Sequence, residues 1–134
     1  MPLFMLDTNV AGAIVRGSPQ AEARLQALSR DEWCISAVTR SELRFGLELM
    51  PRPAALASLI EAFLDLAPTA PWEKAAADEH AKLRAKLRQS GRSIGAYDAM
   101  IAAHALCLRA VLVTNNARDF GQVDDLATEN WLLP

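Results

Sequence analysis

At 134 residues, 51% hydrophobic and 22% charged, the chain is long enough to bury a core as one domain and too apolar for a disordered polymer. Lys and Arg number 14 against 16 Asp and Glu, a formal charge of -2. That excludes a protein gripping nucleic acid with its whole surface, though not one with a local basic patch. Aromatic residues make up only 6%, which argues against reading bases mainly by stacking.

Cys34 and Cys107 fall in apolar stretches with no C-x-x-C and no Cys/His zinc spacing. They read as reduced, buried thiols of a cytoplasmic protein, although a disulfide between them is also compatible with the sequence. The N-terminus has no basic region followed by a long apolar core, so no signal peptide is expected. No apolar run is long enough to span a bilayer, so no membrane contact is expected.

In chain order, Leu3-Phe4-Met5-Leu6 predicts a strand buried on both faces. Asp7-Thr8-Asn9 then opens a helix, with Thr8 or Asn9 as the N-cap. Ser18-Pro19 restarts a helix carrying Ala21, Leu25 and Leu28. Asp31-Glu32 is a turn, and Trp33-Cys34-Ile35 is a buried strand ending at Ser36. A helix follows over 37–49. Its expected stripe is Val38, Phe45 and Leu49, with Glu42 in the middle. Pro51-Arg52-Pro53 ends it.

The next helix covers 54–63, with Leu56, Leu59, Ile60 and Phe63 inward, and residues 64–67 are compatible with a strand. Pro68 and Pro71 bracket a turn. The longest helix runs from near Trp72 to Gln89, with Ala76, His80, Leu83 and Leu87 on one face. After the loop 90–95, a helix from Ala96 carries Asp98 in its first turn and Ile101, Ala102, Ala105 and Leu108 on one stripe. Residues 110–114 form the clearest buried strand, ending in the polar run Asn115 to Phe120. A last short strand at 127–129 and an anchoring Trp131 close the chain. Strands alternating with helices predict an α/β fold with a central parallel sheet and helices on both faces. No repeat or linker divides residues 1–134, which are expected to form a single domain.

Four acids fall at related places. Asp7 follows the first strand and Glu42 lies in the helix after the second. Asp98 starts the helix feeding the last clear strand, and Asp119 follows that strand. In a parallel sheet the carboxyl ends of the strands share one edge, where ligands bind. Glu42 and Asp98 each interrupt an apolar stripe, and an unpaired buried carboxylate must be paired, protonated or given a metal. Clustered carboxylates need cations, and hard Mg²⁺ or Mn²⁺ prefer oxygen ligands. Such a centre suits phosphodiester hydrolysis.

The ordered set is informative as a whole: Asp7-Thr8-Asn9 after an apolar strand, Ser36 through Glu42, Tyr97-Asp98 opening an Ala-rich helix, and Val113-Thr114-Asn115-Asn116 followed by Asp119-Phe120. It resembles the PIN-domain nucleases, and among them the VapC-type toxins of bacterial toxin–antitoxin pairs, over essentially the whole chain. The resemblance implies a PIN-like three-layer fold and a Mg²⁺- or Mn²⁺-dependent ribonuclease that cuts structured RNA, often tRNA. By that likeness Asp7 and Asp98 are the principal metal ligands. Glu42 completes the acidic set, directly or through water, and Asp119 is the fourth acid. Thr8 and Thr114 position a carboxylate or a water. A homodimer and a cognate VapB-type antitoxin are implied too, with promoter DNA bound only through the antitoxin. One position departs: many PIN domains carry Asp two residues after the strand-end Thr, where this chain has Asn116.

Plainer roles stand beside these. Asp7 and Asp98 could serve helix dipoles, Glu42 could pair with Arg40 or Arg44, and Asp119 could be a surface turn residue. His80 and His104 read as packed helix residues rather than catalytic bases. Lys82, Arg84, Lys86, Arg88 and Arg92 either hold RNA phosphates or form a solvated helix face. Asn115 contacts substrate or makes a turn. A haloacid-dehalogenase-like phosphatase would need an Asp at position 9, which is Asn9. A catalytically inert PIN-like module that binds RNA or a partner is favoured only by Asn116.

Overall fold

Three short apolar runs build the centre of the molecule because their side chains alternate between two cores. A computed structural model of the chain describes residues 2–51 and 54–134. The strands are β1 (Phe4–Leu6), β2 (Trp33–Ser36), β3 (Thr69–Ala70), β4 (Val111–Val113) and β5 (Thr128–Glu129). They form one parallel sheet in the order β3-β2-β1-β4-β5. Leu6 lies opposite Ile35 and Val113, and all three enter one core; Met5, Cys34 and Leu112, one residue earlier, enter the other.

The helices are α1 (Thr8–Val15), α2 (Pro19–Gln26), α3 (Ala37–Leu49), α4 (Ala55–Leu66), α5 (Lys74–Gln89), α6 (Ala96–Leu108) and α7 (Ala117–Phe120). Helices α1, α2 and α4 supply the core that holds Leu6, while α5, α6 and Phe120 of α7 supply the core around Met5. This is the expected α/β arrangement, a parallel sheet between helical layers. The winding reverses between β1 and β4, so the crevice beyond their carboxyl ends is the topological switch point where open α/β sheets bind ligands. Among the described residues no helix is long and apolar enough to cross a membrane.

Several expectations are corrected. The N-cap of α1 is Asp7, not Thr8 or Asn9; its carboxylate accepts the Val10 N–H at 2.8 Å. The stripe drawn on α3 is not the buried one, since Phe45 is 64% and Leu49 70% exposed. Thr39, Leu43 and Leu47, spaced four apart, face the core with Val38, and Glu42 borders that face. Residues 64–66 continue α4 rather than forming a strand, and Pro68 and Pro71 bracket β3 rather than a turn. Strand β3 pairs through only two residues, Thr69 and Ala70, and the flanking prolines cannot donate to a ladder. Leu59 and Leu108 are exposed. The Pro51-Arg52-Pro53 helix stop lies partly outside the described residues; α3 ends before it, with Met50 as C-cap. Both cysteines are free, Cys34 buried and Cys107 half-buried. Burial pushes the Cys34 thiol up to about 11.

Candidate active site

The carboxyl edge of the sheet is built from strand ends that become helix caps. At the end of β1 the Asp7 N–H donates to the Val113 carbonyl at 3.0 Å, extending the ladder by one residue. The chain then turns into α1, and the Asp7 side chain, 3% exposed, caps it. Burial raises the Asp7 carboxyl above its ordinary value, opposed by hydrogen bonds from the Thr114 hydroxyl and the Val10 N–H, and the Glu42 charge pushes it up further. Thr114, buried at the end of β4, also accepts the Asn116 N–H at 2.9 Å.

Glu42 reaches the same edge from α3. The Thr8 hydroxyl donates to Glu42 Oε1 at 2.5 Å and lies 3.3 Å from the Thr39 hydroxyl. A hydroxyl has one proton to give. With that proton on Glu42, Thr8 accepts from Thr39, which makes a chain from Thr39 through Thr8 to Glu42. Thr39 is not among the residues the sequence singles out; its signal is its place three residues before Glu42 on one helix face. Neither arginine offered to Glu42 takes it: Arg40 donates to the Leu64 carbonyl at 2.9 Å, and Arg44 pairs with Glu61 at 3.6 Å.

Asp98 enters in the first turn of α6. Burial pushes its carboxyl up to about 6, and the charges of Asp7, Glu42 and Asp119 add to the shift. All three other acids therefore act on Asp98. Asp119 lies in α7, whose N-cap is Asn116. The Asn116 amide donates to Asp119 Oδ2 at 3.1 Å, and its carbonyl oxygen accepts the Asp119 N–H at 3.3 Å. Asn116 thus orients Asp119, and α7 takes up the second part of the polar run that follows β4.

The donor set is all oxygen, which fits a hard divalent ion. Among the described residues no three His, Cys, Asp or Glu side chains are close enough to enclose one ion by themselves. The electrostatic coupling at Asp98 and this open spacing describe one arrangement, with acids near enough to repel but not to form a cage.

The histidines stay outside the cluster. His104 is buried, with Nδ1 2.7 Å from the Ser36 hydroxyl. His80 lies on α5 with its ring edge against Trp72. Asn115 is exposed in the turn after β4.

A family model described as PIN domain matches residues 4–126. The chain belongs to the PIN-domain family. Within that family it is 37% identical over 128 residues to the tRNA(fMet)-specific endonuclease VapC of Shigella flexneri, covering 96% of this chain and 97% of that protein. It is 34% identical over 134 residues to Ribonuclease VapC2 of Haemophilus influenzae, covering 96% and 98%. Among solved structures, a chain of DNA-bound VapBC from Salmonella typhimurium superposes with a TM-score of 0.89 at 32% identity, over 98% of this PIN domain and 99% of that chain. VapBC2 from Rickettsia felis, bound to a DNA fragment from its promoter, gives a TM-score of 0.88 at 29% identity, over 96% and 98%.

Proposed function

We propose that this PIN domain is the toxin of a VapBC-type toxin–antitoxin pair, a Mg²⁺- or Mn²⁺-dependent endoribonuclease that hydrolyses phosphodiester bonds in structured RNA, foremost tRNA. One observation carries the reading: the Asp98 carboxyl is pushed up to about 6 where Asp7, Glu42 and Asp119 act on it together at the switch point. Clustered acids with perturbed ionisation in a crevice are typical of catalytic sites. The names of the VapC relatives supply the substrate class.

In this reading Asp7 and Asp98 are the principal metal ligands, Glu42 and Asp119 complete the acidic set, and Asn116 serves by orienting Asp119. When bound, the ion neutralises the carboxylates and the phosphate and acidifies a water. Glu42 is held through Oε1 by Thr8, which leaves Oε2 to accept a proton from the attacking water. Thr114 fixes the Asp7 carboxylate with respect to β4.

The partner is a VapB-type antitoxin, by analogy with the VapBC complexes, and the exposed apolar residues Phe45, Leu49, Leu59 and Leu66 on α3 and α4 offer it surface. The toxin works in the cytoplasm as a homodimer and meets promoter DNA only through the antitoxin. Asn116 favours one other reading, an inert module that binds RNA or a partner and needs no divalent ion.

Incubating total bacterial RNA with the purified protein tests this, with Mg²⁺ or Mn²⁺ and then with EDTA. Discrete fragments that disappear in EDTA and with Asp7→Asn are expected; Asn keeps a capping side chain while losing the charge. No cutting by antitoxin-free protein would favour the inert module.

A further inference from the structure

The basic run on α5 does not act as one face. Lys82 and Lys86 line a cavity of about 330 Å³ together with Glu79, Asp124 and Asp125, so these lysines sit among acids. Arg84 and Arg88, one turn apart, line a separate open groove of about 930 Å³ between α5 and the start of α6. Among the described residues no acidic one lines that groove. Neither Arg84 nor Arg88 has an ion-pair or hydrogen-bond partner among the described residues, although like charges one turn apart repel. Arg92, at the groove's end, is engaged elsewhere: it donates to the Gln122 carbonyl and to the Ser90 hydroxyl.

The floor of the groove is apolar, formed by Leu87, Ile94 and Met100. Its wall on α6 is Ala96 and Ala99, in the same helical turn as Asp98. We propose that this groove is an RNA-binding track, in which Arg84 and Arg88 hold backbone phosphates and the apolar floor takes an unstacked base, leading the strand to the acids around Asp98. Charge complementarity selects the occupant. In a chain with a net charge of -2, these cations stand apart from their counter-charges beside a site that polyanionic RNA must approach. Single-stranded loops are bound in this manner, with phosphates on cations and bases against flat apolar surface. The inference rests on the ribonuclease reading.

The test is binding of fluorescein-labelled total bacterial tRNA to the full chain carrying Asp7→Asn, followed by anisotropy across a salt series without divalent ions. Added to that parent, Arg84→Gln with Arg88→Gln should weaken binding about tenfold or more and lower the salt slope by about 1.4, two contacts at about 0.7 each on a single strand. Lys82→Gln with Lys86→Gln, on the other face, should change affinity by less than about threefold, a surface exchange that leaves the fold intact. Unchanged binding by the arginine pair, or equal losses from both pairs, overturns the track. So does sedimentation showing that the arginine pair dissociates a dimer, because the groove is then an interface between copies. If the unmutated chain cuts no RNA and the parent binds none, the ribonuclease reading fails as well. If the chain cuts while the arginine pair binds as its parent does, only the track fails.

Discussion

Two polar clusters lie side by side at the carboxyl edge of the sheet, and they are built on opposite principles. In one, His104 is buried, meets the Ser36 hydroxyl at 2.7 Å, hydrogen-bonds the Pro71 carbonyl and rests against the Trp72 ring at 5.5 Å. Ser36 in turn accepts the Val38 N–H at 3.0 Å and caps α3. Burial pushes the imidazole pKa below its ordinary value, so the group is neutral and its bonds are closed. In the other, Asp7, Glu42, Asp98 and Asp119 repel one another, and burial raises two of them. A neutral network with its bonds satisfied ties α6, β2 and the β3–α5 connection together. A set of like charges opposes folding and persists because something else uses it.

The sharpest way to break the contrast is to neutralise one acid. Asp98→Asn should reduce RNA cutting by at least about 100-fold, since losing a metal ligand should cost no less than the roughly 10–100-fold lost with a group that only orients one. The same change should raise the melting temperature of the metal-free protein at pH 7.5, because it removes repulsion. A fall in melting temperature would mean that the acids hold the fold. The neutral cluster should respond in the reverse sense. His104→Ala leaves a cavity and takes from the Ser36 hydroxyl one of its two hydrogen-bond partners, at a cost of about 2–4 kcal/mol. Calorimetry should show that loss, while the fraction still folded cuts RNA at close to the wild-type rate. The smallest effect belongs to the link between α1 and α3. Thr8→Val keeps the shape and removes the proton given to Glu42, so kcat should fall about tenfold, less than the roughly 10²–10⁴-fold that a positioned base itself contributes, because Glu42 stays in place. Stability should fall by no more than about 3 kcal/mol, the upper net value of one hydrogen bond to a charged group.

Much of this was legible in the sequence because its signals are local. The runs ending at Leu6, Ile35 and Val113 are short, apolar and followed within three residues by the capping residues Asp7, Ser36 and Asn116, so strand and helix order could be read in sequence. The four acids were visible as the polar residues that follow those strands or interrupt helices. Facing was less legible. Phe45 and Leu49 are apolar and helically spaced, yet the surface of α3 that packs inward is set by α1 and α4, which no window on α3 contains. Strand β3 has two residues and no pattern of its own; it exists because β2 offers an edge. Thr39 looks like any helix threonine until Thr8 is brought to it across 31 positions. The basic run concealed its division because charge alone does not show that Lys82 and Lys86 turn toward acids while Arg84 and Arg88 do not.

The convergence of the four acids is most directly tested by a carbon-13 titration of the Asp98 carboxyl in metal-free protein, repeated with Mg²⁺. The expected midpoint is about 6, against an ordinary value of 3.8. The folded state then binds the extra proton, so this group's share of stability is present below about pH 4 and is lost as pH rises through about 6. Mg²⁺ should lower the midpoint, since a cation favours the charged carboxylate. A carboxyl titrating near 3.8 and indifferent to Mg²⁺ would contradict the account.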